Sequence, residues 1–251
     1  MSLDGKAALV TGGGSGIGLA SARALAELGV RVFLVGRNEK KLANAASTLG
    51  SGTSWAAADL ADPVQAQRAA DLAAGANGRI DILLNSAGVY GLGSILETGE
   101  KDWDYIFDNN LKQVYLVSRS VIPYMEKEGG GGAVINLAST LGLKSVPGCA
   151  AYCAAKAGLI SLTRSMALDH AAAGIRVNCI APGVVETPIH AETIETMGLE
   201  FWRSKFGPIH PLGRVGTAGD VARLVVYLAD EESSSWITGA VIPVDGGLSA
   251  G

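Results

Sequence analysis

Three side chains in the middle of this 251-residue chain are of types that can move a proton. The segment AAYCAAKAGL sets Tyr152 and Lys156 four residues apart. On a helix that spacing puts both side chains on one face. A tyrosine with its ordinary pKa of about 10 is a poor base at neutral pH. An ammonium one turn away stabilises the phenolate and lowers that pKa. Ser139, in INLASTLG, follows an apolar run that reads as a strand. In open parallel sheets, ligands bind beyond the carboxyl ends of strands. A serine there could hold a substrate oxygen within reach of the phenol. Each residue alone has a plain explanation: a surface lysine, a half-buried tyrosine, a strand-end serine. Together they are the parts needed to move a proton while a cofactor moves a hydride.

A second group of residues would bind rather than react. LVTGGGSGIGLASARAL, residues 9–25, passes from an apolar run through glycines into a helical pattern. Glycine lets the backbone approach a ligand closely. A helix starting there offers unpaired N–H groups and the positive end of its dipole. The combination predicts an anion site, most often for a dinucleotide's pyrophosphate. The spacing is Gly12-x-x-x-Gly16-x-Gly18 and not G-x-G-x-x-G. The second strand-like run, VRVFLVGRN, ends near Gly36. NAD enzymes usually place an acid there for the ribose 2′-hydroxyl, whereas a nearby Arg accommodates the 2′-phosphate of NADP. Gly36 followed by Arg37 favours NADP(H), with NAD(H) the lesser option.

These groups need a scaffold. Short apolar, β-rich runs lie near 6–11, 30–36, 53–58, 80–85, 132–138, 175–181 and 240–244. Helical patterns lie near 16–28, 38–49, 63–74, 101–127, 150–172 and 218–229. Continuous apolar strands alternating with helices imply a parallel sheet covered on both faces. The predicted fold is α/β: a single doubly wound (Rossmann) domain over residues 1–251, with a mainly parallel sheet of about seven strands. EGGGGA (128–133) reads as a helix-to-strand turn. Residues 184–216 show no clear pattern, and so long an irregular stretch is usually a lid or binding loop. A substrate lid is therefore expected near 187–215. It holds Phe201, Trp202 and Phe206 within six residues, which points to an apolar substrate. His190 and His210 lie in the same stretch, and either could touch it.

Composition removes other classes. Hydrophobic residues make up 48% of the chain, the net charge is -4 and the pI about 5.4. No basic surface for nucleic acid is evident. No apolar run reaches the ~18 residues of a membrane helix, and MSLDGKAALV is unlike a signal peptide. Cys149, Cys153 and Cys179 read as free thiols in a reducing cytoplasm. Cys149 and Cys153 lack companions at metal spacing, and no metal site is expected.

In sum of motifs, the chain resembles the short-chain dehydrogenase/reductase family over nearly its whole length. TGGGSGIG (11–18) matches T-G-x-x-x-G-x-G, and NSAG (85–88) resembles N-N-A-G with Ser86 in place of the second Asn. Ser139 precedes Tyr152 by thirteen residues, and Tyr152-x-x-x-Lys156 matches Y-x-x-x-K. PGVVET (182–187) matches P-G-x-x-x-T, and SWITGAVIPVDGG (235–247) resembles the family's last strand and closing turn. The resemblance implies Tyr152 as acid and base, Lys156 as the group that depresses its pKa and contacts the nicotinamide ribose, and Ser139 as the carbonyl's partner. Asn110, in NL, would hold a water in a proton path to Lys156, with Asn109 a structural neighbour. Gly12, Ser15, Gly16, Ile17, Gly18, Arg37, Asp59 and Leu60 would hold the cofactor. So would Asn85, Ala87, Gly88, Pro182, Gly183, Val185 and Thr187, with Tyr152 and Lys156. The implied partner is a small ketone or alcohol, and the implied assembly a homo-oligomer, with a tetramer favoured. One alternative is a 3-oxoacyl-[acyl-carrier-protein] reductase. Its docking surface would fall on MEKEGGGG (125–132) and DHAAAG (169–174), where Lys127 is the only Lys or Arg. Another is a nucleotide-sensing protein that has lost the chemistry.

Overall fold

The structure is a computed structural model and describes residues 3–127 and 131–251. The first half of the expected glycine turn, residues 128–130, lies outside the described residues. The chain runs β1 (Ala7–Thr11), α1 (Gly16–Ala26), β2 (Arg31–Gly36), α2 (Glu39–Leu49), β3 (Thr53–Ala57), α3 (Pro63–Asn77) and β4 (Ile82–Asn85). It continues through α4 (Glu100–Phe107), α5 (Gln113–Lys127), β5 (Gly132–Leu137), α6 (Ala150–His170), β6 (Ile175–Pro182) and β7 (Val185–Glu186). It ends with α7 (Ala191–Met197), α8 (Leu199–Phe206), β8 (Gly216–Thr217), α9 (Ala218–Ala229), α10 (Glu231–Ser234) and β9 (Val241–Val244).

Seven strands form one sheet in the order β3-β2-β1-β4-β5-β6-β9, every neighbouring pair parallel. β1 and β6 are buried along their whole lengths, which explains their continuous apolar sequence. On one face Leu25 of α1, Leu42 of α2 and Val221 and Val225 of α9 cover the sheet. On the other Ala70 of α3, Val121 and Met125 of α5 and Ala167 of α6 do so. Successive strands step outward from β1 in one direction and from β4 in the other. That reversal opens a crevice at the carboxyl ends of β1 and β4, where ligands bind in such sheets.

Two elements differ from the sequence reading. The helix expected over 101–127 is interrupted by a π turn at Asp108–Lys112. One extra residue per turn there re-aims the side chains that follow. The stretch thought irregular contains α7 and α8, two short helices broken at Gly198, whose φ is +80°. They are too short to show periodicity. Parallel pairing of β7 with β8 pins both ends of the intervening segment.

A buried polar chain joins the strand ends that carry the site. The Asn85 amide donates to Asn136 Oδ1 (2.8 Å) and to Ser118 Oγ (3.2 Å). The Asn136 amide donates to Thr163 Oγ1 (2.9 Å), which donates to Leu159 O (2.8 Å). Asn136→Ala removes one partner from each of Asn85 and Thr163 inside the core. It should cost about 2–4 kcal/mol and lower the Tm by roughly 5–10 °C. A melting temperature within about 2 °C of wild type, at the precision of that same scale, would show that the chain carries no stability.

Candidate active site

Two cavities open at the carboxyl ends of the strands and share Gly12, Ser15, Ala87 and Gly88 as walls. The smaller, about 210 Å³, lies beyond β1, β2 and β3; the larger, about 650 Å³, lies beyond β4, β5 and β6.

Their common wall depends on absent side chains. Gly12 has φ +66°, and a Cβ there would sit 2.9 Å from the Ala87 backbone. A Cβ on Gly18 would strike the Gly12 carbonyl. Thr11 holds the two segments together: its Oγ1 accepts from Ser86 N and Ala87 N, both at 3.0 Å. Ser15 stands at the start of α1 and its side chain caps no backbone N–H. The helix thus offers free donors and its positive end to an anion. Gly16, Ile17, Pro182, Gly183, Val185 and Thr187 line the larger cavity. Gly36, Arg37, Asp59 and Leu60 line the smaller. So do Lys41, Asn38 and Gln113, which the sequence did not single out. Lys41 reads as a surface lysine of α2; the cap that Asn38 Oδ1 makes to its N–H (2.9 Å) turns that helix start toward the cavity. Gln113 donates to Ala87 O (3.0 Å) and so props the shared wall.

At the larger cavity, α6 presents Tyr152 and Lys156, and the turn after β5 presents Ser139. Ser139 Oγ accepts from Leu141 N (3.1 Å). Its hydrogen is left free to turn to the Tyr152 phenol, whose ionised form such a bond favours. Burial pushes the Tyr152 pKa up to about 12, against the lowering effect of that Ser139 bond. Lys156 Nζ donates to Leu137 O (2.9 Å) and lies 5.7 Å from the Tyr152 ring centre. Burial pulls its pKa down to about 8. The expected depression of the tyrosine pKa by the lysine is therefore not what the protein alone displays. Desolvation is the largest cause of the upward shift, and the Ser139 bond is what opposes it.

Asn110 and Asn85 are both held by the protein's own polar groups. Asn110 is fully buried in the π turn: Nδ2 donates to Ile106 O (2.9 Å) and Oδ1 accepts from Val89 N (3.3 Å). Its side chain lines neither cavity. A Cβ on Gly88 would lie 2.9 Å from Asn110 Oδ1 and 3.5 Å from Lys156 Nζ, so Asn110 sets the loop beside the lysine. Asn85 is likewise turned into the polar chain beneath the strand ends. Asn109 lines the smaller cavity and donates to Tyr105 O (2.9 Å).

The segment between β7 and β8 covers the larger cavity with His190, Trp202 and Phe206, while Phe201 is exposed and lines neither cavity. Ring contacts run Phe206–Trp202 (5.5 Å), Trp202–His190 (5.4 Å), His190–Tyr90 (5.9 Å) and Tyr90–Tyr152 (5.0 Å). Tyr90, two residues past the NSAG motif, gave no signal in sequence; its hydroxyl meets Cys149 Sγ at 3.3 Å. His210 does not face this wall as ligand-binding residues would. It is buried, with Nδ1 donating to Phe206 O (2.8 Å) and Nε2 accepting from Val184 N (3.1 Å), an assignment fixed by those partners. Arg203 binds Glu186 through two bonds (2.9 and 3.2 Å) and fastens α8 to β7. Among the described residues no cluster of His, Cys, Asp or Glu could hold a metal, and no helix is long and apolar enough to cross a membrane.

Residues 12–249 match a family model described as enoyl-(acyl carrier protein) reductase. A meso-2,3-butanediol dehydrogenase of Serratia marcescens is 37% identical, over 100% of this chain and 97% of that one. An actinorhodin polyketide ketoreductase solved with NADPH superposes with a TM-score of 0.92 at 32% identity, over 97% of both chains. A 3-ketoacyl-(acyl-carrier-protein) reductase of Brucella melitensis solved with NADH gives 0.91 at 32% identity, over 99% of this chain and 100% of that one. The glycine-walled double cavity, the Ser139–Tyr152–Lys156 centre and these full-length matches lead to one conclusion: this chain is an oxidoreductase of the short-chain dehydrogenase/reductase family, acting on CH–OH groups.

Proposed function

We propose that the protein interconverts an apolar ketone and a secondary alcohol with NADP(H), using Tyr152 as acid and base. The observation that carries this reading is the grouping of Ser139 with the buried Tyr152 and Lys156 in the cavity that shares its wall with the glycine cradle. The cradle fits a dinucleotide because side chains are missing where a pyrophosphate must approach and α1 has uncapped donors. When bound, the nicotinamide supplies or accepts the hydride. Arg37 and Lys41, both exposed at the smaller cavity, are cations suited to a ribose 2′-phosphate.

The chain's own part is proton handling and orientation. Burial keeps the Tyr152 phenol protonated at neutral pH, which suits it to give a proton to a carbonyl oxygen. Ser139 orients that oxygen. In the reverse direction Tyr152 must ionise, and its phenolate is stabilised by the Ser139 hydroxyl and by Lys156 in its charged form. Asn110 acts through Gly88 and Val89 as a positioning residue. Trp202 and Phe206 make the substrate wall apolar and exclude water. Assembly as a homo-oligomer, a tetramer by resemblance, is part of the reading; Trp236 and Leu168, 99% and 82% exposed, are apolar surface that supports it. Three free, buried cysteines support a cytoplasmic setting.

A second reading, reduction of a 3-oxoacyl group on acyl carrier protein, is favoured by the likeness to the Brucella enzyme. The scarcity of cations in 125–132 and 169–174 weighs against it. Higher kcat/KM on a carrier-bound thioester than on every free ketone would select it.

Three outcomes test the reading. Tyr152→Phe should lower kcat for ketone reduction by about 10²–10⁴-fold with cofactor affinity largely kept; retention of more than roughly a tenth would remove Tyr152 from the acid's role. Wild type should prefer NADPH, and Gly36→Asp should reverse the preference in kcat/KM. A side chain fits there, since a Cβ at Gly36 meets only Leu42 Cδ2 at 3.8 Å. Equal losses with both cofactors would contradict the assignment. Lys156→Met is read by pH. The folded lysine titrates near 8 against 10.5 when unfolded, so between those values the unfolded chain holds a proton that the folded one lacks. Stability from this site therefore rises with pH across that window. The Tm of the variant relative to wild type should be most favourable at neutral pH and decline toward the top of the window. A pH-independent offset would contradict the lowered pKa.

A further inference from the structure

We propose that Lys144 forms a subsite for an anionic group, a carboxylate or a phosphate monoester, at the end of the substrate remote from its carbonyl. The inference rests on the reading of the larger cavity as the substrate site. Among the described residues no Asp or Glu lines that cavity, and its two Lys or Arg side chains are Lys144 and Lys156. Lys156 is committed to Leu137 O and to Tyr152. Lys144 is free of any such role in the chemistry.

Its placement is fixed from both sides. The backbone N–H of Lys144 donates to Thr140 O (2.9 Å), in the turn that begins at Ser139. Its ammonium donates to Leu248 O (2.5 Å), in the C-terminal segment that also lines the cavity. A carbonyl satisfies one of the three N–H donors and neutralises none of the charge. No ion pair involves Lys144 among the described residues. A half-buried ammonium beside apolar walls, with no carboxylate opposite, attracts an anion more strongly than it would in open water. The substrate class that follows has a ketone at Ser139 and Tyr152, an apolar body along Tyr90 and Trp202, and an acid at Lys144.

Two probe pairs, each differing by one anion, test this and separate its sources. One is 4-oxo-4-phenylbutanoate against its amide. The other is acetoacetyl-phosphopantetheine against acetoacetyl-pantetheine. Wild type should favour the charged member of at least one pair by about tenfold, chiefly in KM, at low salt. Rising salt should shrink the ratio. Lys144→Met should bring it near one, and Lys144→Arg should keep most of it. The pair that responds identifies the anion as carboxylate or phosphate. Equal treatment of both pairs by wild type overturns the proposal. So does a ratio that Lys144→Met leaves intact, or an equal loss on charged and neutral probes with a fall in Tm, which would make Lys144 a tether for Leu248. Calorimetric binding of the same probes keeps the two readings apart. A charge preference in binding without turnover counts against the proposed reaction and not against the subsite. Absence of that preference in binding and in turnover counts against the subsite.

Discussion

The structure turns on one close approach, between the turn after β1 and the loop after β4. Thr11 brings them together through two backbone N–H groups, and Gly12 lets them meet without a side chain between. Everything the site needs hangs from that contact. On one side it leaves the first turn of α1 open to an anion. On the other it delivers Gly88 to a place where Asn110 and Lys156 both press against it. The parallel sheet makes the contact available, because its strand order reverses between β1 and β4. A β-carbon at Gly12 would separate the segments and disturb both cavities at once.

The second governing effect is dehydration of Tyr152 and Lys156. Tyr152 packs with Ile106, Ala151 and Ala155, and Lys156 is slightly more buried still. The same loss of water raises an acid's pKa and lowers a base's. At neutral pH the phenol is thus held protonated, while the lysine keeps its charge but holds its proton less tightly than in water. Charge appearing on either group during a reaction meets few competing waters and acts strongly on its neighbour. The segment between β7 and β8 contributes by shape. Its ends are pinned by β7–β8, by the His210 bonds and by Arg203, and its aromatic side chains close the wall that Tyr90 begins.

Much of this was legible in the residues. Strands buried on both faces must be continuously apolar, so β1, β2, β4, β5 and β6 announced themselves. Tyr152 and Lys156 share a helix face at a spacing set by helical geometry alone. Other features depend on tertiary placement and left no local mark. The π turn looks like an ordinary helix in sequence, and it is what turns Asn110 inward. Lys41, Tyr90 and Lys144 are unremarkable in a string of letters; only the packing of α2, the β4 loop and the C-terminal segment brings them to cavities. Phe201, Trp202 and Phe206 were equal candidates as aromatics, and α8 sorts them, exposing the first and directing the other two to the wall.

The central claim is that the two cavities serve one reaction, with the cradle binding a nicotinamide cofactor and the buried tyrosine acting on a ketone. The most direct measurement is a single-turnover experiment. Enzyme in excess over NADPH is mixed with a panel of apolar ketones, and nicotinamide absorbance is followed together with alcohol formed. Loss of the reduced nicotinamide in step with one equivalent of alcohol, for at least one ketone, is the predicted result. Tight NADPH binding with no ketone consumed across the panel would contradict it, and would describe a nucleotide-binding protein without the chemistry.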